Sequence, residues 1–304
     1  MSPMDTLADA LAESGRLPGA WWAGVARAPW REYARARAEA ILRGAQLVAS
    51  QAGAGAWRPL PWDSALLGVQ MGRIDAVVGS DLPSAYAAVR DAAASADVQH
   101  LSARVDAAAL EDIWALERAG FRLMDGLLTF SAPIATEPAS VPDGFRVRIT
   151  EPRESDAIAS LADFTHDRFH ADPHLDPRRV DDLHRTWVRN SVTREVADVV
   201  WVAEDDQGVL AYTTGRVDPV LARSLGVRVL VIGLVGTVAR GRRHGLARAL
   251  SQEARYWAHA EGLDGVEVGT QLRNVPAART YQGAGYRLAA TSLTFHWWGG
   301  QRDA

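Results

Sequence analysis

A chain of 304 residues is long enough for two ordinary domains, and with 48% of its residues apolar it can fill real cores, which excludes a disordered chain. A formal net charge of −4 excludes a general nucleic-acid or membrane-surface binder, although basic clusters such as 240–243 can form local sites. The absence of cysteine excludes a disulfide framework, a thiolate metal site and a cysteine nucleophile. The opening MSPMDTLADALAESG carries acids and no continuous apolar run, and no later segment approaches the roughly 20 apolar residues of a membrane span. A cytoplasmic protein is the expectation.

Residues 1–57 read as a helical extension, with a short helix from Asp5 to Glu13 and a longer one from Trp30 to Ser50 that Gly53 and Gly55 end. Nothing here has catalytic spacing, so a scaffold or oligomer contact is expected, compatible with a homodimer. Residues 58–135 form a small α/β unit. A turn at Pro59–Ser64 precedes strands at Val69–Val78, His100–Val105 and Phe121–Ser131, with helices at Ser84–Ser95 and Ala107–Ala119. Pro133 to Pro142 is the expected linker, which opens a second domain over 136–304.

In that domain Phe145–Ile149 alternates as a strand, and Glu154–Phe164 reads as a helix. A polar, His-containing stretch from Thr165 to Asp176 leads to a helix with Leu183, Trp187 and Val188. Two strands, Asp198–Glu204 and Val209–Val217, flank the turn Asp205–Gly208. A β-branched run at Val229–Val235 is followed by Arg240-Gly241-Arg242-Arg243-His244-Gly245, and a helix then runs to about Ala260. A glycine loop at the start of a helix can offer its backbone N–H groups, together with the positive dipole end, to an anion such as phosphate. A strand at Val266–Thr270, a helix at Pro276–Gly283 and a last strand at Leu288–Trp298 complete the chain.

The second informative stretch is Asn274-Val275-Pro276-Ala277-Ala278-Arg279-Thr280-Tyr281-Gln282-Gly283-Ala284-Gly285-Tyr286. Asn274 stands where a helix cap would, and Ala277 and Ala278 keep one face small. About thirty residues earlier stands Arg242-x-x-Gly245-x-Ala247. The pair of motifs resembles the GNAT acyltransferase superfamily, over residues 145–298. The resemblance implies an α/β fold with a mixed central sheet flanked by helices, preceded by a smaller N-terminal α/β GNAT-like unit and the helical extension. It also implies acetyl-CoA as cosubstrate, with no metal.

By the same likeness, Arg242, Arg243, His244, Gly245, Leu246 and Ala247 would hold the pyrophosphate. Val235, Gly236, Thr237 and Val238 would line the pantetheine arm, where the two central strands splay apart. Asn274 and Ala277 would contact that arm, with simple helix capping as the other role for Asn274. Tyr281 would be the general acid that returns a proton to the thiolate, for which a neutral phenol is suited; a core Tyr is its other reading. Ala239 departs from the Pro common in the family, a minor change because loop amides hold the anion.

Pro61-Trp62-Asp63-Ser64, Ala119-Gly120-Phe121, Asp167-Arg168-Phe169-His170, Trp187-x-x-Asn190-Ser191 and Gly269-Thr270-Gln271 are similar to the dTDP-fucosamine acetyltransferase family. That likeness implies direct transfer to the amine of a dTDP-amino sugar. It suggests Asp125 as general base, and Arg168, His170, Thr270, Gln271 and Arg273 as acceptor contacts. A surface carboxylate is the competing account of Asp125, and a structural or solvated role that of Arg168 and Arg273. His166, His170 and His174 recur every four residues, but Pro173 interrupts any shared helix and no metal is expected there. Two alternatives stand beside this reading: acyl transfer to another small amine or peptide, and an inactive acyl-CoA-binding regulatory protein.

Overall fold

The computed structural model describes residues 3–14, 17, 19–26 and 29–300. The elements of the first half are α1 (Pro3–Ser14), α2 (Ala23–Ala26), α3 (Trp30–Leu42), β1 (Gln46–Ala49), β2 (Gly53–Pro59), α4 (Pro61–Leu67), β3 (Met71–Gly79), α5 (Leu82–Ser95), β4 (His100–Asp106), α6 (Leu110–Arg118) and β5 (Arg122–Ala132). Then follow β6 (Arg146–Ile149), α7 (Ser155–Ala159), α8 (Pro177–Val192), β7 (Val199–Asp205), β8 (Gly208–Val217), α9 (Pro219–Leu225), β9 (Val229–Thr237), α10 (Leu246–Ala260), β10 (Gly265–Gln271), α11 (Val275–Gly283) and β11 (Arg287–Trp298). No described helix is long and apolar enough to cross a membrane. Two compact units divide the chain, Met1–Gly126 with Thr291–Ala304, and Leu127–Ala290.

In the first unit the strands run in the order β1-β2-β3-β4-β11, with β3 and β4 parallel and the other neighbours antiparallel. One cluster, with Trp57, Tyr86, Val89, Leu101, Leu116 and Phe295, joins the strands to α5 and α6, and another, with Leu7, Ala34, Ala38, Leu42 and Ala56, joins them to α1 and α3. The helix expected over Trp30–Ser50 therefore stops at Leu42. Gly44, at φ 74°, turns the chain, and Gln46–Ala49 pairs with Ala54–Trp57 as a strand. The Ala-Gly run that reads as a helix end is itself strand. A Cβ on Gly55 would lie 2.5 Å from Val89 Cγ2, so the small residues let α5 come close to the sheet. The pairing of β2 with β3 also carries residues 53–59 across the boundary expected at residue 57.

In the second unit the strand order is β5-β10-β9-β8-β7-β6, and only β9 and β10 run parallel. Val199, Trp201 and Ala203 of β7 pack with α10, while Val200 and Val202 pack with Ile158, Val188 and Val192 on the other face. That alternation, with every residue apolar, marks a strand covered on both sides. Helix α10 turns Leu246, Ala249, Leu250, Ala254 and Ala258 inward, an amphipathic spacing. Asp176 caps α8 by accepting from the Arg178 N–H at 2.9 Å. The helix expected over Glu154–Phe164 is shorter than its pattern. It tightens into i→i+3 bonds at Leu161 and Ala162, and Leu161, Ala162 and Phe164 then pack on the face that holds Tyr212.

The β6 edge is tied by charge. Arg148 bonds both Glu154 (2.6 Å) and Glu204 (2.8 Å), and Arg146 also meets Glu204 (2.6 Å). Hydrogen bonds from Arg148 hold both carboxyls below the usual carboxylate range. Because the folded pKa lies below the unfolded one, the stabilisation is present above the unfolded value of about 4.3 and lost as pH falls through the folded value. Glu204→Gln is expected to cost about 1–3 kcal/mol at neutral pH and to flatten the acid limb of stability. Urea midpoints at pH 7 and near pH 3.5 check this, and an acid limb as steep as in the parent would sink it.

Candidate active site

The site is organised by the parting of two neighbouring strands. β9 and β10 pair from Val229–Gly265 to Ile232–Val268, and the ladder stops there although β9 runs on to Thr237 and β10 to Gln271. The cause is local to β9. Its register with β8 shifts between Thr213 and Gly215, and the Leu234 N–H donates to the Thr214 hydroxyl at 2.9 Å. Gly233 and Gly269, the residues beyond the last pair, are exposed although their strands lie inside the sheet. β10 continues instead with β5, through Thr270–Leu128 and Gln271–Leu127.

Beyond β9 the chain makes one 3-10 turn, Ala239–Gly241, and reaches α10 through residues 242–245. Arg243 (φ 67°) and Gly245 (φ 78°) are left-handed, and Gly245 is the residue before the helix. Among the described residues, the backbone N–H groups of 243–247 make no hydrogen bond to protein. Five amides without a protein acceptor among the described residues thus stand at the positive end of a fifteen-residue helix, an arrangement fitted to an anion.

The side chains in this loop divide. Leu246 is core, so only its amide is available, and His244 packs on Phe145 with ring centroids 5.3 Å apart. Arg242 is committed, donating to the Thr237 carbonyl (3.3 Å) and to Asp163 (3.1 Å). Arg243 is exposed and makes no ion pair among the described residues. Val235, Thr237 and Val238 are half-buried, and Gly236 lies beneath a ring: a Cβ there would come 2.4 Å from Tyr212 Cε1.

On the α10 face, Tyr281 is buried against Phe130 and Tyr286, at 5.9 and 6.1 Å between centroids. Its hydroxyl has no protein partner among the described residues, whereas Tyr286 donates to the Ser251 carbonyl at 2.9 Å. Burial pushes both phenols above their ordinary value, so both are neutral at pH 7. Asn274 does cap α11, its Oδ1 accepting from the Ala277 N–H at 3.3 Å. Ala277 packs half-buried against the same core.

The expected acceptor contacts scatter more. Thr270 is buried, Gln271 half-buried, and exposed Arg273 donates to the His166 carbonyl at 3.4 Å. The Arg168 guanidinium lies over the Phe169 ring at 4.2 Å. His170 sits between Asp167 and Asp181. Asp125 belongs to the first unit and is 7% exposed, which corrects the reading of a surface carboxylate.

Sequence reasoning missed two residues on the opposite face. Tyr212 is 1% exposed, and its hydroxyl is buried with no protein partner among the described residues. Thr214 anchors the bulge. Both look like ordinary strand residues in the sequence, and the one available signal was Gly233 and Gly236 inside an otherwise β-branched run.

Residues 160–286 match the acetyltransferase (GNAT) family model. The spore coat polysaccharide biosynthesis protein SpsD of Bacillus subtilis (strain 168) is 30% identical over 164 residues, 53% of each chain, so the chain spans about half the length of that curated relative. Among solved structures, a GCN5-related N-acetyltransferase from Sphaerobacter thermophilus superposes with a TM-score of 0.61 at 15% identity, covering 97% of this chain and 91% of its own. A tandem GNAT protein from the clavulanic acid biosynthesis pathway gives 0.59 at 15%, covering 97% and 94%. These two likenesses establish the fold. Residues 160–286 are thus similar in sequence to the acetyltransferase (GNAT) family, within a fold shared with these structures.

Proposed function

We propose that the chain transfers an acetyl group from acetyl-CoA directly to a primary amine, that of a nucleotide-linked amino sugar of the dTDP type. The observation that carries the reading is the junction of parted strands with a loop whose amides, 243–247, have no protein acceptor among the described residues. Those amides hold the pyrophosphate, and the free ends of β9 (Val235–Val238) and α11 (Asn274, Ala277) flank the arm. Bound acetyl-CoA supplies an acyl group activated as a thioester. Tyr281 keeps its proton at Oη until a departing thiolate takes it, and a base removes one from the amine nitrogen. Asp125 is retained as that base.

A sugar acceptor is supported by the kind of protein this chain resembles. The relative in Bacillus subtilis, 30% identical over 164 residues, is a spore coat polysaccharide biosynthesis protein. Thiol release from acetyl-CoA, assayed with dTDP-amino sugars, a polyamine, a peptide and an aminoglycoside, tests the reading. Release fastest with a dTDP-amino sugar is expected. Faster release with another amine overturns the acceptor, and binding without release for any amine overturns catalysis. In the same assay, unchanged turnover in Asp125→Asn removes that residue.

Tyr212 extends the proposal. A buried hydroxyl without a protein partner costs stability unless a ligand completes it, so Tyr212 meets the acceptor. Tyr212→Phe is expected to leave the melting temperature equal or higher while kcat/KM for the amine falls about tenfold, the worth of one hydrogen bond. A lower melting temperature with intact kcat/KM would make Tyr212 purely structural.

A further inference from the structure

The segment between α7 and α8 gathers a cluster that acyl transfer does not require. Asp167 Oδ2 lies 2.5 Å from His170 Nδ1 and 3.8 Å from His184 Nε2, and one potential ligand atom from each of the three residues lies within 4.8 Å of the others. The side chains are 14%, 14% and 6% exposed, in that order. The aspartate is fixed through its other oxygen, Oδ1, which accepts from the N–H groups of Phe169 (2.8 Å) and His170 (3.2 Å). Oδ2 is the one aimed at the imidazoles.

The outer nitrogens decide what the inner ones can do. His184 Nδ1 stands 2.9 Å from the Val180 carbonyl, which can only accept, so that nitrogen carries the hydrogen and Nε2 presents a lone pair. His170 stands between two carboxylates, Asp167 at 2.5 Å from Nδ1 and Asp181 at 3.2 Å from Nε2, so either nitrogen can carry the hydrogen, and with it on Nε2 the Nδ1 atom offers a lone pair. In that tautomer, three acceptor lone pairs converge in a nearly dry place. They repel unless a cation lies among them.

We propose that this cluster is a site for a divalent transition-metal ion of the Zn²⁺ class, held by Asp167, His170 and His184. Two imidazoles and one carboxylate are donors such an ion accepts, and three protein ligands leave one position open. The contacts of the outer nitrogens, one to a main-chain carbonyl and one to a carboxylate, are those that orient ligating histidines. His184 and Asp181 stand on α8, Asp167 and His170 on the segment before it, so the ion pins residues 163–176 to the helix. Of the histidines spaced by four, only His170 belongs to the cluster. The fold brings in His184, which no local spacing announces.

The test does not depend on acetyl transfer. The full chain, stripped with a chelator and dialysed, is titrated with Zn²⁺ against a chromophoric competitor, and metal content is measured by mass spectrometry. One Zn²⁺ per chain and a raised melting temperature are expected. His170→Gln and Asp167→Asn should abolish stoichiometric uptake, and Asp181→Asn, changed on an outer partner, should weaken it about 10–100-fold. His166→Ala and His174→Ala should leave it intact. Should the ligand variants fail to fold, Co²⁺ bound to the unaltered chain still reads the site, through the visible absorption of a low-coordinate His and carboxylate centre. No stoichiometric uptake by the unaltered chain, or uptake indifferent to Asp181→Asn and the ligand changes, would overturn the assignment and leave a proton as the cation.

Discussion

Replacing Tyr281 by Phe is expected to lower turnover by about 100- to 10,000-fold while acetyl-CoA affinity stays nearly the same. The two rings fill the same space against Phe130 and Tyr286, so packing survives. The hydroxyl bonds no protein group among the described residues, so its loss strands no partner among them. What disappears, on the proposed function, is the proton donor to the thiolate. Tyr286→Phe is the matched control, because it removes a bond to the Ser251 carbonyl and should cost about 1 kcal/mol of stability with little change in turnover. Because burial raises the pKa of Tyr281, the group stays protonated through the neutral range, and no fall in kcat near pH 7–8 should trace to it. Steady-state kcat and calorimetric affinity, measured on both variants, check the pair. Full turnover in Tyr281→Phe would assign the proton to another group.

The second large effect is expected from Gly245→Val. Gly245 has φ 78° and ψ 4°, a conformation that costs an L-residue about 1–2 kcal/mol and a β-branched one more. Crowding is not the issue, since a Cβ would meet only Pro142 Cγ, at 3.8 Å. The strain is relieved by rotating the peptide units that present the amides of 243–247, which is what an anion would sense. Acetyl-CoA affinity should fall about tenfold or more, the equivalent of roughly 1.4 kcal/mol, with kcat at saturation less affected. Gly245→Ala should lose less. Equal affinity across the series would show that the loop does not hold the pyrophosphate.

Much of the second unit was legible because its signals are local. The β-branched run of β9, the glycine before α10, the Asn cap of α11 and the helical spacing of α10 each depend on neighbours a few residues away. The two motifs flanking β10 carried the family resemblance for the same reason. The first unit was less legible where small residues dominate. Ala54, Gly55 and Ala56 have weak intrinsic strand preference, and they form β2 because α5 needs room above them.

What the sequence by itself determined is the class of chain and the placing of the glycine loop before α10 and of Tyr281, since caps, turns and periodicities are written in consecutive residues. The tertiary structure alone decided where β9 leaves β10, that Tyr212 buries a hydroxyl with no protein partner among the described residues, and that Asp167, His170 and His184 converge. Those features rest on strand register and on contacts between residues distant in the chain. Period-two patterns look the same whether a ladder continues or stops, and a lone histidine on a helix gives no sign of the carboxylate that folding will bring to it.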